Sequence, residues 1–424
     1  MNLTDCQRRH RNVRSSAVVV AAAFALLGLA ACGKKESAGT SASGGSGAAS
    51  GAAPAAAATG ATGSTGSKDA IVIGHFASMT GAQATFGIST DSAVRLAIKE
   101  RNAKGGVKGR QLELVTIDDA GKQSEAATAV TRLINDHKVV AVLGEVASSL
   151  SLVGGPIAQK AQVPMISPSS TNPDVTDVGD YVFRVCFLDD VQGWVGAKFA
   201  RDNLKATKAA IIYDQAQAYS SGLADFFEKA FKEMGGTIAT RQAYTGGNLE
   251  ISSQLQSIKG SGAEVVYLPG YYSDAGTIIR KAKESGIQAK FIGGDGWDSD
   301  ELAKIAGDAI NGSFFSNHYS SGEDRPEVKA FVENYRKAYN GATPDSFAAL
   351  GYDAALVLFD AIERAPTLGG KDLRDAIAAT KDFKGVTGTF SIDENRNAKK
   401  SAVVLEYKDG KQTFAARIDR TAPK

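Results

Sequence analysis

An α/β fold with two doubly wound parallel-sheet lobes is what this sequence predicts, and three observations predict it. From residue 69 onward, short β-branched runs alternate with amphipathic stretches, the pattern of parallel strands with helices on both faces. Runs such as "VVAVLGEV" and "AAIIYD" are apolar almost throughout, as strands covered on both faces must be. The alternation also restarts at residue 209, and the whole region is longer than one core comfortably holds.

The first series begins with the strand "AIVIGHFA". A helix follows in "STDSAVRLAIKERNAKGG", where Val94 and Ile98 lie four apart and Gly105-Gly106 stops it. "RQLELVTIDD" alternates as a strand, and "SEAATAVTRLIND" sets Ala126, Val130, Leu133 and Ile134 on one helical face. The strand "VVAVLGEV", the helix "SLSLVGGPIAQKA" and the strand "PMIS" close the series.

The second series runs strand "AAIIYD", helix "GLADFFEKAFKEMGG", strand "TIATRQAY", helix "LEISSQLQSIKGSG", strand "EVVYLPG", helix "DAGTIIRKAKESG" and strand "KFIGGD". No residue-level repeat links it to the first. Three helices then follow, in "PEVKAFVENYRKAY", "AALGYDAALVLFDAIERA" and "KDLRDAIAATKDF". The chain closes with a strand in "VTGTFSID" and a hairpin in "AVVLEYKDGKQTFAARI" that turns at Asp409-Gly410.

The N-terminal part is of another kind. Arg8, Arg9, Arg11 and Arg14 precede the apolar run "AVVVAAAFALLGLAA", residues 17–31. That run is shorter than the roughly 20 residues that span a bilayer and fits the core of a signal peptide. It ends in "LAAC", which resembles the lipobox of bacterial lipoproteins, with Cys32 as the lipid-modified residue. Residues 36–67 are nearly all Ser, Gly, Ala and Thr. They cannot bury a core and read as a flexible tether spanning on the order of 30 Å.

The composition excludes several functions. The 424 residues carry a formal net charge of +2, and the arginines of the leader account for it, so the body offers no electrostatic footprint for nucleic acid. Of the three cysteines, Cys6 lies in the leader and Cys32 is the lipid site. Cys186 stands alone in the apolar run "YVFRVCF", as a buried structural residue would, and no disulfide framework remains. His75, His137 and His318 share no metal-ligand spacing, so neither a metal nor a cofactor is expected. No nucleophile elbow, "HExxH" or phosphate loop occurs. Asp118-Asp119 suggests paired carboxylates, but neighbours on a strand face opposite ways, so a helix cap is expected there. An enzyme is not expected.

Ligands of open parallel sheets bind beyond the carboxyl ends of the strands. After "VVAVLGE" come Ser148 and Ser149; after "PMIS" come Ser169, Ser170 and Thr171. After "AAIIYD" comes Tyr219, after "EVVYLPG" come Tyr271 and Tyr272, and after "KFIGG" come Asp295 and Trp297. Hydroxyls and helix-start N–H groups suit a carboxylate, an acid and free carbonyls suit an ammonium, and aromatic rings supply an apolar wall. Turn-forming and capping roles explain any single one of these loops; five together describe a rim for a small zwitterion.

From about Ile71 to about Gly410 the body resembles the branched-chain amino acid-binding proteins of ABC importers. The resemblance rests on "FASMTGAQATFGISTDSAVRLAIKERNAKGGVKGRQLELVTIDD", "VVAVLGEVASS", "PMISPSSTNPDVTDVGDYVFRV", "IIYDQAQAYSSGL", "VYLPGYYSDAGTIIRKAKESG" and "KFIGGDGWDS", in that order. It implies the type I periplasmic binding protein fold, with lobes at 69–190 plus 319–396 and at 191–318 plus 397–424, joined by three hinge strands near Leu188–Gln192, Ser316–Ser320 and Asp393–Lys399. It assigns Ser148 to the ligand carboxylate and the Ser169 carbonyl to the ammonium. Thr171 meets the carboxylate with its N–H and the ammonium with its hydroxyl. Tyr219 and Tyr271 close over the ligand, Asp295 pairs with the ammonium, and Phe86 and Phe347 wall the pocket. Ser170 joins them as a rim hydroxyl. The chain departs from the family in three places: Asp295 where Glu is usual, Phe86 where a tryptophan is usual, and no cysteines near Gly121 and Ala147 for the disulfide of some members.

The function expected is therefore capture of a small amino acid, branched-chain or related, and its delivery to a permease. The protein is expected to be a monomer in the periplasm, lipid-anchored to a membrane. A sensing module for a signalling partner, or a binder of another small carboxylate or amide, is the alternative.

Overall fold

The computed structural model describes residues 69–419. The signal segment 1–31, Cys32 and the tether 32–68 lie outside the described residues, as do residues 420–424. Among the described residues no helix is long and apolar enough to cross a membrane.

Two large sheets organise the chain. The first contains β1 (Ile71–Ala77), β2 (Leu112–Asp118), β3 (Ala141–Leu143), β4 (Met165–Ser167) and β5 (Val182–Arg184), all parallel, in the order β2-β1-β3-β4-β5. The second contains β6 (Lys208–Asp214), β7 (Thr237–Tyr244), β8 (Val265–Tyr267), β9 (Lys290–Gly293) and β10 (Phe314–Asn317), parallel in the corresponding order β7-β6-β8-β9-β10. A small hairpin of β11 (Phe383–Gly385) and β12 (Gly388–Phe390) stands apart. The terminal hairpin, β13 (Ala402–Lys408) and β14 (Lys411–Ile418), joins the second sheet antiparallel beside β10. Its turn is Asp409-Gly410, both residues with positive φ, the conformation a two-residue hairpin turn demands.

Helices cover both sheets. Around the first lie α1 (Ala84–Ala103), α2 (Gln123–Asn135), α3 (Ser148–Ala161) and the short α4 (Asp174–Asp177). Around the second lie α5 (Asp189–Asp202), α6 (Ala218–Glu233), α7 (Ser252–Gly260), α8 (Tyr272–Glu284) and α9 (Asp300–Ala306). After the second sheet come α10 (Pro326–Ala338), α11 (Ser346–Arg364) and α12 (Gly370–Ala378). The apolar α11 and α12 return to the first sheet: Leu350, Leu358, Ile362, Leu373 and Ile377 share a buried cluster with Ile71, Ile73, Leu143, Ile166 and Phe183. Asp345 caps α11, its carboxylate accepting the Ala348 N–H at 2.8 Å.

The expected strand "VVAVLGEV" is pared to Ala141–Leu143. Gly144 ends it with φ +126°, and a Cβ there would stand 2.4 Å from the Phe76 carbonyl oxygen. The first expected hinge strand also differs. Leu188 is the N-cap of α5, so the stretch to Gln192 is helical from Asp189 onward. Asp189 and Asp190 stand in that first turn, where acidic residues are common at a helix start. At the other crossings, β10 ends at Asn317 and the 393–399 loop is held by a bridge between Ile392 and Ala398. The strand expected in "VTGTFSID" is confined to β12.

Asp118 and Asp119 cap no helix. Asp118 is exposed and accepts the N–H groups of Met79 and Ala120 and the Thr80 hydroxyl. Asp119 is buried and accepts from the Ser78 hydroxyl and the Gly121 N–H. The pair therefore clamps the loop after β1, because strand alternation sends one carboxylate out and the next in.

Candidate functional site

Most of the residues indicated by the sequence follow the carboxyl ends of strands in the two sheets. α3 starts at Ser148, directly after β3 and the Gly144–Ala147 turn. Its first N–H groups have no intrahelical acceptor, as at any helix start, and its dipole favours negative charge there. The Ser148 hydroxyl accepts the Asn172 N–H at 3.3 Å, which places the 167–173 loop beside the helix start.

That loop is fixed from beneath. Ser167 Oγ donates to the Glu145 carbonyl at 2.7 Å and accepts the Ser170 N–H at 2.8 Å. Ser170 Oγ lies 2.7 Å from Ser151 Oγ and 2.8 Å from the Glu145 carbonyl. Arg184, wholly buried, donates to the carbonyls of Ser170 at 2.6 Å and Pro173 at 3.1 Å. The Ser170 hydroxyl is therefore spent inside the fold, and Ser170 holds the loop rather than facing the rim. Ser169 Oγ and Thr171 Oγ1 differ: both are buried, Ser169 Oγ has no hydrogen-bond partner, and Thr171 Oγ1 has only the Asp189 carboxyl beside it.

Opposite stand the groups of the second sheet. Tyr219, at the start of α6, donates its hydroxyl to Asp295 Oδ1 at 2.8 Å and accepts the Gly296 N–H at 3.1 Å. Asp295 sits in a single 3-10 turn after β9 and is 2% exposed. Its backbone N–H is fixed by Gln192 Oε1 at 2.6 Å. The Tyr271 ring stacks on Tyr219 with centroids 5.2 Å apart, and its hydroxyl is buried without a partner.

The wall is aromatic and crosses between the sheets. Phe86 packs on Phe347 at 4.2 Å and edge-on to Tyr271 at 6.0 Å and Tyr272 at 5.0 Å. All four rings belong to the apolar cluster of the second sheet or pack against it, although α1 and α11 cover the first. Polar groups also join the two sides. Ala218 donates its N–H to Ser149 Oγ at 3.0 Å, and Asn172 Nδ2 donates to the Ala218 carbonyl at 2.9 Å. Trp297, expected on the rim, is instead fully buried beside Phe315.

Four residues of the site carried no signal strong enough to single them out. Asp189 donates its N–H to the Thr171 carbonyl at 2.9 Å and accepts from Gln192 Nε2 at 3.2 Å. Burial, with Asp295 nearby, pushes its carboxyl up to about 8. Glu145, under the α3 start, is also pushed up to about 8 by burial and by Asp119. His318 lies 2.9 Å from Asp295 through Nε2, with burial lowering its basicity and Asp295 opposing that. Arg184 is the buried counter-charge, near Asp189 and Asp177. "FRVCFLDDVQ" and "NHYS" surround Arg184, Asp189 and His318 with strand-like or capping neighbours, "VLGEV" does the same for Glu145, and only the fold brings the four together. Cys186 is buried as its apolar run implies, and burial pushes its thiol up to about 12, which keeps it protonated at neutral pH.

The arrangement presents a helix start and hydroxyls on one side, buried carboxylates on the other and rings between. Among the described residues no group of three or more His, Cys, Asp or Glu is placed to hold a metal ion.

Known proteins share this organisation. The family described as periplasmic binding protein matches residues 70–412. The Leu/Ile/Val-binding protein homolog 2 of Brucella abortus is 33% identical over 349 residues, 81% of this chain and 93% of that one. The leucine binding protein LivK of Thermotoga maritima superposes with a TM-score of 0.79 at 39% identity, covering 82% of this chain and 99% of that one. The branched-chain amino acid substrate-binding protein LivJ of Streptococcus pneumoniae, solved with isoleucine, gives 0.78 at 33% identity over 82% and 99%.

Proposed function

The chain belongs to the periplasmic binding protein family, and from that premise we propose that it takes up a branched-chain or related amino acid between its two sheets and delivers it to an ABC permease. A solute-binding rather than catalytic role is the family's, and so is an extracytoplasmic place of work. The observation that carries the amino-acid reading is the pairing of the α3 start, which opens at Ser148, with the buried Asp295 carboxylate of the second sheet. A helix start favours a carboxylate and a buried carboxylate favours a cation beside it, so a zwitterion suits both ends.

In this reading Ser148 and the first N–H groups of α3 take the carboxylate. The Ser169 carbonyl, the Thr171 hydroxyl and Asp295 take the ammonium, with Tyr219 fixing Asp295. Tyr271, Phe86 and Phe347 enclose the side chain. The division into lobes at 69–190 plus 319–396 and 191–318 plus 397–424 makes capture a closure of one lobe on the other, favoured by ligand contacts from both. The lipid on Cys32 and the tether that follows hold a monomeric body near the membrane.

Thermal denaturation of ligand-stripped protein against a panel of amino acids tests this. A ligand at a hundredfold over its Kd stabilises the fold by about 2.7 kcal/mol, so one or more branched-chain acids raises Tm by several degrees. No shift with any amino acid contradicts the reading.

A further inference from the structure

His318 is the second donor on Asp295. The imidazole side chain is fully buried, its Nε2 lies 2.9 Å from Asp295 Oδ2, and the carboxylate is 3% exposed. Tyr219 occupies the other oxygen. A carboxylate only accepts, so Nε2 carries the hydrogen and the neutral tautomer leaves Nδ1 bare. Nδ1 is buried and has no partner, so a second proton there finds no acceptor. The ring is clamped face to face on Phe187, with centroids 3.8 Å apart, and the His318 N–H donates to Asn317 Oδ1 at 2.8 Å. His318 follows β10 directly, at the crossing that leaves the second sheet.

We infer that His318 positions Asp295 for the ligand's ammonium and, once protonated, becomes the counter-ion of Asp295 itself, so that capture of a zwitterion weakens in acid. The inference rests on the amino-acid reading above. One acid then serves two cations in turn: a protonated imidazole and a bound ammonium compete for the same carboxylate inside a site of low dielectric. Binding consequently expels the imidazole proton in the range where His318 titrates. The charged groups facing His318 are Asp295 and Asp298 from the turn after β9 and Lys400 from the last crossing. Asp189 from α5 faces Asp295 in turn, and the Tyr219 phenol of α6 is held protonated by burial beside Asp295 and Asp189.

The test is the affinity for leucine between pH 7.5 and pH 5 in wild type and in His318→Gln, which keeps an Nε2 donor and cannot titrate. Wild type is expected to lose at least twofold more affinity than the variant by pH 5, since burial moves His318 titration below the ordinary imidazole range. Calorimetry at pH 5.5 in two buffers of different ionisation enthalpy is expected to show proton release in wild type that His318→Gln reduces. His318→Phe keeps a ring against Phe187 and removes the donor; it is expected to bind more weakly at every pH and to share the flatter profile. Parallel pH profiles for wild type and both variants, with leucine bound at pH 7.5, overturn the role of His318 and leave the amino-acid reading standing. Failure of wild type to bind leucine or any other amino acid of the panel at pH 7.5 overturns both.

Discussion

The Arg184 guanidinium lies under the 167–173 loop and donates to the Ser170 carbonyl at 2.6 Å. With the Pro173 carbonyl and the Thr176 hydroxyl as its other acceptors, it fixes a segment with little regular structure of its own. Arg184→Met removes a buried charge-assisted anchor and leaves carbonyls unpaired. A loss of about 3 kcal/mol in urea denaturation is expected, together with weaker ligand binding. Wild-type stability in that variant contradicts the anchor.

Thr171 is expected to behave in the opposite way. Its hydroxyl is buried and makes no well-formed hydrogen bond, the Asp189 carboxyl being its polar neighbour, so Thr171→Val takes little from the fold. Stability should stay within about 0.5 kcal/mol of wild type or rise, while amino-acid affinity falls about tenfold, the worth of one hydrogen bond at a desolvated site. Unchanged affinity would return the loop to a purely structural role.

Asp189 gives a pH dependence of stability with a definite sign. Its folded carboxyl is raised to about 8 from an ordinary 3.8, so the native state holds a proton that the unfolded chain has released. The stability from this group is complete below about pH 4 and is lost as pH rises through about 8. Urea midpoints of the ligand-free protein should therefore fall between pH 6.5 and 8, and Asp189→Asn should show a shallower fall. Identical slopes would remove Asp189 from the balance of charge.

Gly294 leaves no room for a side chain. A Cβ there would lie 2.3 Å from the Tyr219 hydroxyl and 2.8 Å from Gln192 Oε1, the two groups that hold Asp295. Gly294→Ala is expected to cost about 1–3 kcal/mol of stability through overpacking and to weaken ligand binding at least tenfold by displacing Tyr219. Wild-type affinity, measured by titration, contradicts this.

The alternation of strands and helices was legible because buried parallel strands leave continuous apolar runs, and "AAIIYD" falls inside β6 as read. The position of Ser148, Tyr219 and Asp295 after parallel strands was legible for a related reason, since each follows an apolar run in the sequence and lies beyond that strand in the fold. Asp189 and His318 were not. Asp189 looks like an ordinary helix-start acid, and His318 has no partner nearby in sequence. Asp295 lies 23 residues from His318, and Thr171 precedes Asp189 by an entire strand. Ser170 erred in the other direction, because a hydroxyl's direction depends on the packing beneath the loop and not on its neighbours in the chain.

Isothermal titration of the ligand-stripped protein with leucine, isoleucine and valine, repeated with Asp295→Ala, tests the central claim most directly. Saturable one-to-one binding of at least one of the three, weakened a hundredfold or more when the Asp295 carboxylate is removed, is the result this site predicts. No binding of any of them to wild type, or binding that Asp295→Ala leaves unchanged, would contradict it.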